Sequence, residues 1–166
     1  VVVISIIFGG ILGTIVAKRI KMTAMPQLVS IFNATGGAAS ALVALMEYSN
    51  PINESALVTL LGLVIGTIAF SGSMVAYGKL DGKIGDIFAK WTTYFNLFLL
   101  AVIAAIMVYM LAFDHSMATQ ITLSYVLLVV ALIYGIMFVM PIGGADMPVV
   151  ISLLNSLTGI AAAMAG

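Results

Sequence analysis

The sequence predicts an all-α fold, a polytopic transmembrane bundle of about six helices, and three observations carry the prediction. Of 166 residues, 63% are hydrophobic and 7% charged, with a mean hydropathy of +1.27, which leaves too little polar surface to clothe a soluble domain. The apolar residues gather in runs of the length needed to cross about 30 Å of hydrocarbon, roughly 20 residues of helix. None of the runs alternates polar with apolar as barrel strands would, so helices are the remaining way to satisfy the backbone in lipid.

The first run, Val1 to Ala17, opens without an initiator Met, and with no basic region before it and no cleavage site after it, it reads as a cut span rather than a signal peptide. The second, Gln27 to Met46, follows Met25-Pro26, and proline in a first helical turn fixes where the helix begins. The third, Ser55 to Tyr77, carries Gly62 and Gly66, a small-xxx-small pair like Gly9 and Gly13 in the first run; both pairs favour close helix packing. Ser71-Gly72-Ser73 near its end would either unwind the helix or supply small residues at a contact. The fourth and fifth, Thr93 to Phe113 and Thr119 to Met140, flank Asp114-His115, which has the look of a proton-handling pair but falls in an outside loop, where it reads as a solvated turn. The sixth, Met147 to Gly166, ends in apolar sequence, so the chain is expected to be a piece of a longer polypeptide, nearly all of it membrane.

Successive loops must alternate sides of the bilayer. On that alternation all six cations, in Lys18 to Lys21 and Lys79 to Lys90, share one side, while Glu47, Glu54, Asp114 and His115 fall on the other. The positive-inside rule makes the cationic side cytoplasmic or its equivalent, and the loop Pro141 to Asp146 then faces inside as well. Tyr77, Trp91 and Tyr94 stand near span ends on that side, where amphipathic rings settle at the headgroups.

Composition also excludes functions. Six Lys and Arg balance six Asp and Glu, so there is no basic field to attract nucleic acid. The absence of cysteine removes disulfides, thiolate metal sites and a Cys nucleophile, and His115 alone cannot build a His-rich metal site. Eleven Met suit adaptable apolar packing and show no metal-binding spacing.

Two segments repeat one pattern: Met25-Pro26 leading to Ser30, Asn33 and Gly37, and Met147-Pro148 leading to Ser152, Asn155 and Gly159. Both enter from the inside face, which makes the repeat parallel rather than inverted. Ser30, Asn33, Gly37 and Ser40 lie on one narrow helical face, and Ser152, Asn155 and Gly159 do the same. At 1.5 Å per residue the asparagines sit about 10 Å inside their helix starts, deep enough that their amides must meet another helix or water. One reading is glue, with Ser and Asn bonding across helices and Gly admitting a close approach. The other is a hydrated path between the two helices, favoured by the repetition of Asn with Ser one turn away. Asp146, just before the second Met-Pro, is either a helix cap or a proton or gating carboxylate at the mouth of such a path; Ala24 stands at its place in the first copy, so the repeat itself does not require it.

Three stretches, Lys21-Met-Thr-Ala-Met-Pro-Gln-Leu-Val29, Phe70-Ser-Gly-Ser-Met-Val-Ala-Tyr-Gly-Lys-Leu-Asp-Gly-Lys83 and Gly143-Gly-Ala-Asp-Met-Pro-Val-Val-Ile-Ser-Leu-Leu-Asn155, closely resemble the β subunit of proton-translocating nicotinamide nucleotide transhydrogenase. The resemblance runs in order across nearly the whole chain. It implies that residues 1–166 form a proton-translocating membrane domain, with hydride passing between NAD(H) and NADP(H) in soluble domains that this fragment lacks. It further implies an NADP(H)-binding domain later in the same full-length chain, an α subunit bringing its own transmembrane helices and an NAD(H) domain, and a homodimer of the assembly. No cofactor and no hydride-transfer site is expected on this fragment, which shows no Gly-x-Gly-x-x-Gly turn. The implied location is a bacterial inner membrane, or the mitochondrial inner membrane.

Carried over by residue, the resemblance assigns Asp146, Ser152 and Asn155 to the family's polar positions at the start of the last helix. With Asn33 and Ser30 these are the expected proton-pathway residues, Asp146 gating or coupling. Many members have a histidine in the span before the Phe-Ser-Gly-Ser segment; Ser55 to Thr59 hold none, so such a group would come from another chain or from outside the fragment. The alternative function is a proton-coupled secondary transporter or channel subunit using the same polar stripe.

Overall fold

The computed structural model describes residues 1–48, 55–86, 90–113 and 116–165, apart from the side chain of Lys90. These residues form six long helices: α1 (Val2–Arg19), α2 (Met25–Tyr48), α3 (Ala56–Leu80), α4 (Lys90–Ala112), α5 (Met117–Val139) and α6 (Met147–Ala165). All six spans are long and apolar enough to cross a membrane, and no strand occurs among the described residues. Glu54, Asp114 and His115 lie outside the described residues.

The two Met-Pro segments share more than a sequence pattern. A single 3-10 turn precedes each helix, Met22–Ala24 before α2 and Gly144–Asp146 before α6. Each turn is closed by an amide three residues on, Ala24 to the Lys21 carbonyl at 2.9 Å and Asp146 to the Gly143 carbonyl at 3.0 Å. Pro26 and Pro148 then fall in the first turn of the α-helix, where an N–H would have no partner in the helix.

Helix α3 is the axis of the bundle, packed against α2, α5 and α6. It can be central because its small residues let backbones approach. A Cβ added at Gly37 of α2 would stand 2.7 Å from the Gly66 carbonyl oxygen and 2.8 Å from the Phe70 nitrogen, and one added at Gly66 would meet the Gly37 oxygen at 2.9 Å. On the other side of α3, a Cβ at Gly135 of α5 would collide with the Ser71 hydroxyl and stand 2.7 Å from the Ile68 carbonyl oxygen. Two glycine crossings therefore clamp α3, the geometry small residues permit where lipid supplies no hydrophobic drive for helices to associate. Ser71, Gly72 and Ser73 are buried within an unbroken helix that runs to Leu80, so they serve as contact residues and do not unwind the span.

Leu60, Leu63, Val64 and Ile68 of α3 pack with Ala41 and Ala44 of α2, Ile103 and Met107 of α4, and Leu127 and Ala131 of α5. A second cluster joins Val75 and Ala76 of α3 to Val139 of α5 and to Met147, Val150, Ile151 and Leu154 of α6. Helix α4 is tied to α5 by the Asn96 amide, which donates to the Met137 carbonyl at 3.1 Å. Helix α1 buries no residue, and a Cβ at Gly9 or Gly13 would meet nothing within 4 Å; the close packing expected at that pair is not made within the described chain.

Candidate functional site

The two copies of the polar pattern meet different surroundings. On α2 the whole stripe is turned inward: Ser30, Asn33, Gly37 and Ser40 are all buried, Asn33 at 4% exposure. The Ser30 hydroxyl donates to the Ser73 carbonyl of α3 at 2.7 Å, and the Asn33 amide donates to the Ile151 carbonyl of α6 at 3.2 Å. In return the Thr158 hydroxyl of α6 lies 3.3 Å from the Asn33 carbonyl oxygen, while also reaching its own Leu154 carbonyl at 3.0 Å. Ser40 bonds only within its helix, to the Gly36 carbonyl.

On α6 the stripe faces out. Ser152, Asn155, Ser156 and Gly159 are exposed, and α6 instead buries Met147, Val150, Ile151, Leu154 and Ala161. The equivalents of Ile151, Leu154 and Ala161 on α2 are Val29, Phe32 and Ala39, and these are exposed. The seam expected between the two asparagine-bearing faces is thus not formed: α2 and α6 do pack together, but α6 meets α2 with its apolar side, and Asn155 and Ser152 point away from Asn33 and Ser30. The link between the copies is indirect. Asn33 bonds the carbonyl of Ile151, and in α-helical geometry that carbonyl accepts the backbone N–H of residue 155.

Asp146 is exposed at the cationic end of this outward stripe. It closes the 3-10 turn through its backbone, and its carboxylate makes no capping bond to the described residues, so the cap role weighed for it from the sequence is not what holds it there. Asn155 and Ser152 likewise make no side-chain hydrogen bond to the described residues, while the Ser156 hydroxyl turns back to the Ser152 carbonyl at 3.2 Å. A helix face of Ser, Asn, Ser and Gly offers lipid nothing to solvate it. Such a face calls for water or a further helix.

The sequence reading grouped Lys79 with the loop cations, but it belongs to the last turn of α3 and is buried, its side chain 1% exposed. Its ammonium lies 2.7 Å from a carboxylate oxygen of Asp86, 2.6 Å from the Met140 carbonyl and 2.7 Å from the Ile142 carbonyl. The local sequence builds this. Gly82 takes φ +72, the left-handed turn glycine allows, and the amides of Lys83 and Ile84 fold back onto the Gly78 carbonyl, which returns Asp86 to Lys79. The readable signal was Gly82 three residues after Lys79 with an Asp close behind. Nearby, the Gln27 amide donates to the Leu80 carbonyl at 3.1 Å, fastening the start of α2 to the end of α3. Lys83 is outside the spans, where the hydrogen bond its ammonium donates to the Asp81 carboxylate, together with that negative charge, raises it above the ordinary lysine value.

The family model for the NAD(P) transhydrogenase beta subunit matches residues 1–166. Two curated relatives from Rhodospirillum rubrum, each described as NAD(P) transhydrogenase subunit beta and one of them from a specified strain, are 40% identical over 176 aligned positions. The alignment covers 99% of this chain but 37% of each relative, so the chain spans little more than a third of their length.

Proposed function

The chain belongs to the NAD(P) transhydrogenase beta subunit family, and on that premise we propose that it carries protons across the membrane for a complex whose soluble domains pass hydride between NAD(H) and NADP(H). The observation that carries this reading is the outward stripe Ser152, Asn155, Ser156 and Gly159, with Asp146 at its cationic end. Polar side chains on a span cost free energy unless they meet water or polar partners, so this face is the wall of a hydrated path that helices beyond the fragment complete. Asn155 and Ser152 orient water in the path, and Asp146 gains and loses a proton at its inner mouth. Asn33 and Ser30 act from behind: they hold the Ile151 turn of α6 and the Ser73 turn of α3, and so set where Asn155 stands.

In this reading NADP(H) binds a later domain of the same full-length chain. NAD(H) binds the α subunit, whose own spans pack on the exposed helix faces seen here, and the assembly is a homodimer in a bacterial inner membrane. Coupling requires that protonation and nucleotide state favour different arrangements of the same elements, and the loops at the cationic end connect the two.

The test is Asn155→Leu in the complete enzyme reconstituted in vesicles. Proton pumping and proton-linked reverse transhydrogenation are expected to fall about tenfold or more, within the usual range of coupling energies. Wild-type rates of both would remove Asn155 from the path, and solute uptake without added nucleotide would favour the transporter reading instead.

A further inference from the structure

A lysine ammonium buried to 1% exposure is expensive unless all its donors are used and its charge is balanced. Lys79 meets both conditions. Its three N–H donors have three acceptors within 2.7 Å, one of them the Asp86 carboxylate. The other two, the carbonyls of Met140 and Ile142, follow the end of α5, where a helix leaves carbonyls without partners and favours a cation. Lys79 itself stands in the last turn of α3, so the ammonium ties the end of that helix to the carbonyls that follow α5.

What it holds matters more than that it is held. Asp86 belongs to the α3–α4 connection, and Met140 and Ile142 begin the α5–α6 connection that ends at Asp146. Between Ile142 and the α6 start there is only Gly143 and the 3-10 turn Gly144–Asp146, a four-residue tether that confines Asp146 to within about 14 Å of Ile142 even when fully extended. Among the described contacts, no other side chain joins these two connections by hydrogen bond.

We propose that Lys79 is the positioning residue for Asp146: it locks the α3–α4 connection to the α5–α6 connection, so that displacement of the first at the membrane surface is transmitted to the carboxylate at the mouth of the path. The inference rests on the role given to Asp146 above, but the clamp itself can be tested apart from that role. Asp86 is the labile member, since its carboxylate is 32% exposed while the lysine is enclosed.

The experiment uses the complete enzyme in vesicles with Ala145→Cys, an exposed position beside Asp146, as reporter. Labelling of that thiol by a membrane-impermeant maleimide is followed together with the ratio of protons pumped to hydride transferred. Lys79→Met is expected to change the labelling rate about fivefold or more and to lower the ratio by a similar factor, with Lys79→Arg recovering part of both. Asp86→Asn, which leaves both carbonyl bonds in place, is expected to change them in the same direction by less, and it serves as the readout if Lys79→Met does not assemble. Unchanged labelling in every variant that assembles overturns the clamp. Altered labelling with an unchanged pumping ratio upholds the hold on the loop and removes Asp146 from the proton path instead.

Discussion

Helices α2 and α6 begin with the same sequence pattern after the same 3-10 turn, yet one hides its polar stripe and the other displays it. Asn33 is enclosed and spends its amide on the backbone of α6, whereas Asn155 has no described partner and faces out. The difference lies in what each helix packs against. Gly37 permits α2 to cross α3 backbone to backbone, and that crossing pulls Ser30, Asn33 and Ser40 inward with it. Helix α6 reaches α2 and α3 through Ile151, Leu154 and Ala161, and its equivalent glycine, Gly159, touches nothing within 4 Å of a built Cβ. A shared motif thus fixes which residues lie together on a helix without fixing which way they turn. Of two copies of one pattern, the first is enclosed in the packing and the second is left exposed.

Paired substitutions at matching positions break or sharpen this contrast. The largest effect is expected for Gly37→Leu, because the added side chain would meet backbone atoms of Gly66 and Phe70 that cannot step aside. Destabilisation on the order of 3 kcal/mol or more should appear as loss of folded protein after mild detergent extraction. Gly159→Leu should leave extraction and thermal stability of the subunit much closer to wild type and act instead on assembly or pumping. Equal loss of folded protein in both would erase the proposed asymmetry.

Next in size is the asparagine pair. Asn33→Leu removes a bond between helices and places a branched chain in a filled site, so thermal unfolding in detergent should show a cost of about 1–2 kcal/mol. Its pumping per folded enzyme should fall less than that of Asn155→Leu, whose stability should stay within about 0.5 kcal/mol of wild type. Reversal of the two profiles would place the path on the inner face of α2.

The smallest contrast concerns the serines. Ser30→Ala deletes the 2.7 Å bond to the Ser73 carbonyl and should cost about 1 kcal/mol by thermal denaturation. Ser152→Ala loses no described bond, and its effect should be confined to the proton flux measured in vesicles.

Much of the molecule was legible beforehand. The six spans follow from run length and composition, and the helices start and stop within a few residues of the apolar boundaries because lipid allows no other backbone solution. The Met-Pro starts were readable from where proline is tolerated, and the stripes from the 3.6-residue period. The contact role of Gly62 and Gly66 was readable as well, since small residues at that spacing admit a neighbouring helix. The same rule gave an expectation for Gly9 and Gly13 that the described chain does not fulfil, because a small-residue pair signals capacity for contact and does not name the partner.

What the sequence by itself determined, then, is the set of helices, the end at which the cations gather, and which polar residues share a face. Only the tertiary structure decided that Asn33 turns in while Asn155 turns out, and that Lys79 is enclosed among three acceptors rather than solvated in a loop. The physical reason is the solvent. In water an apolar face announces which side is buried, but in lipid both sides of a helix are apolar enough to be exposed, so orientation is left to steric fit and to the few hydrogen bonds that helices can exchange.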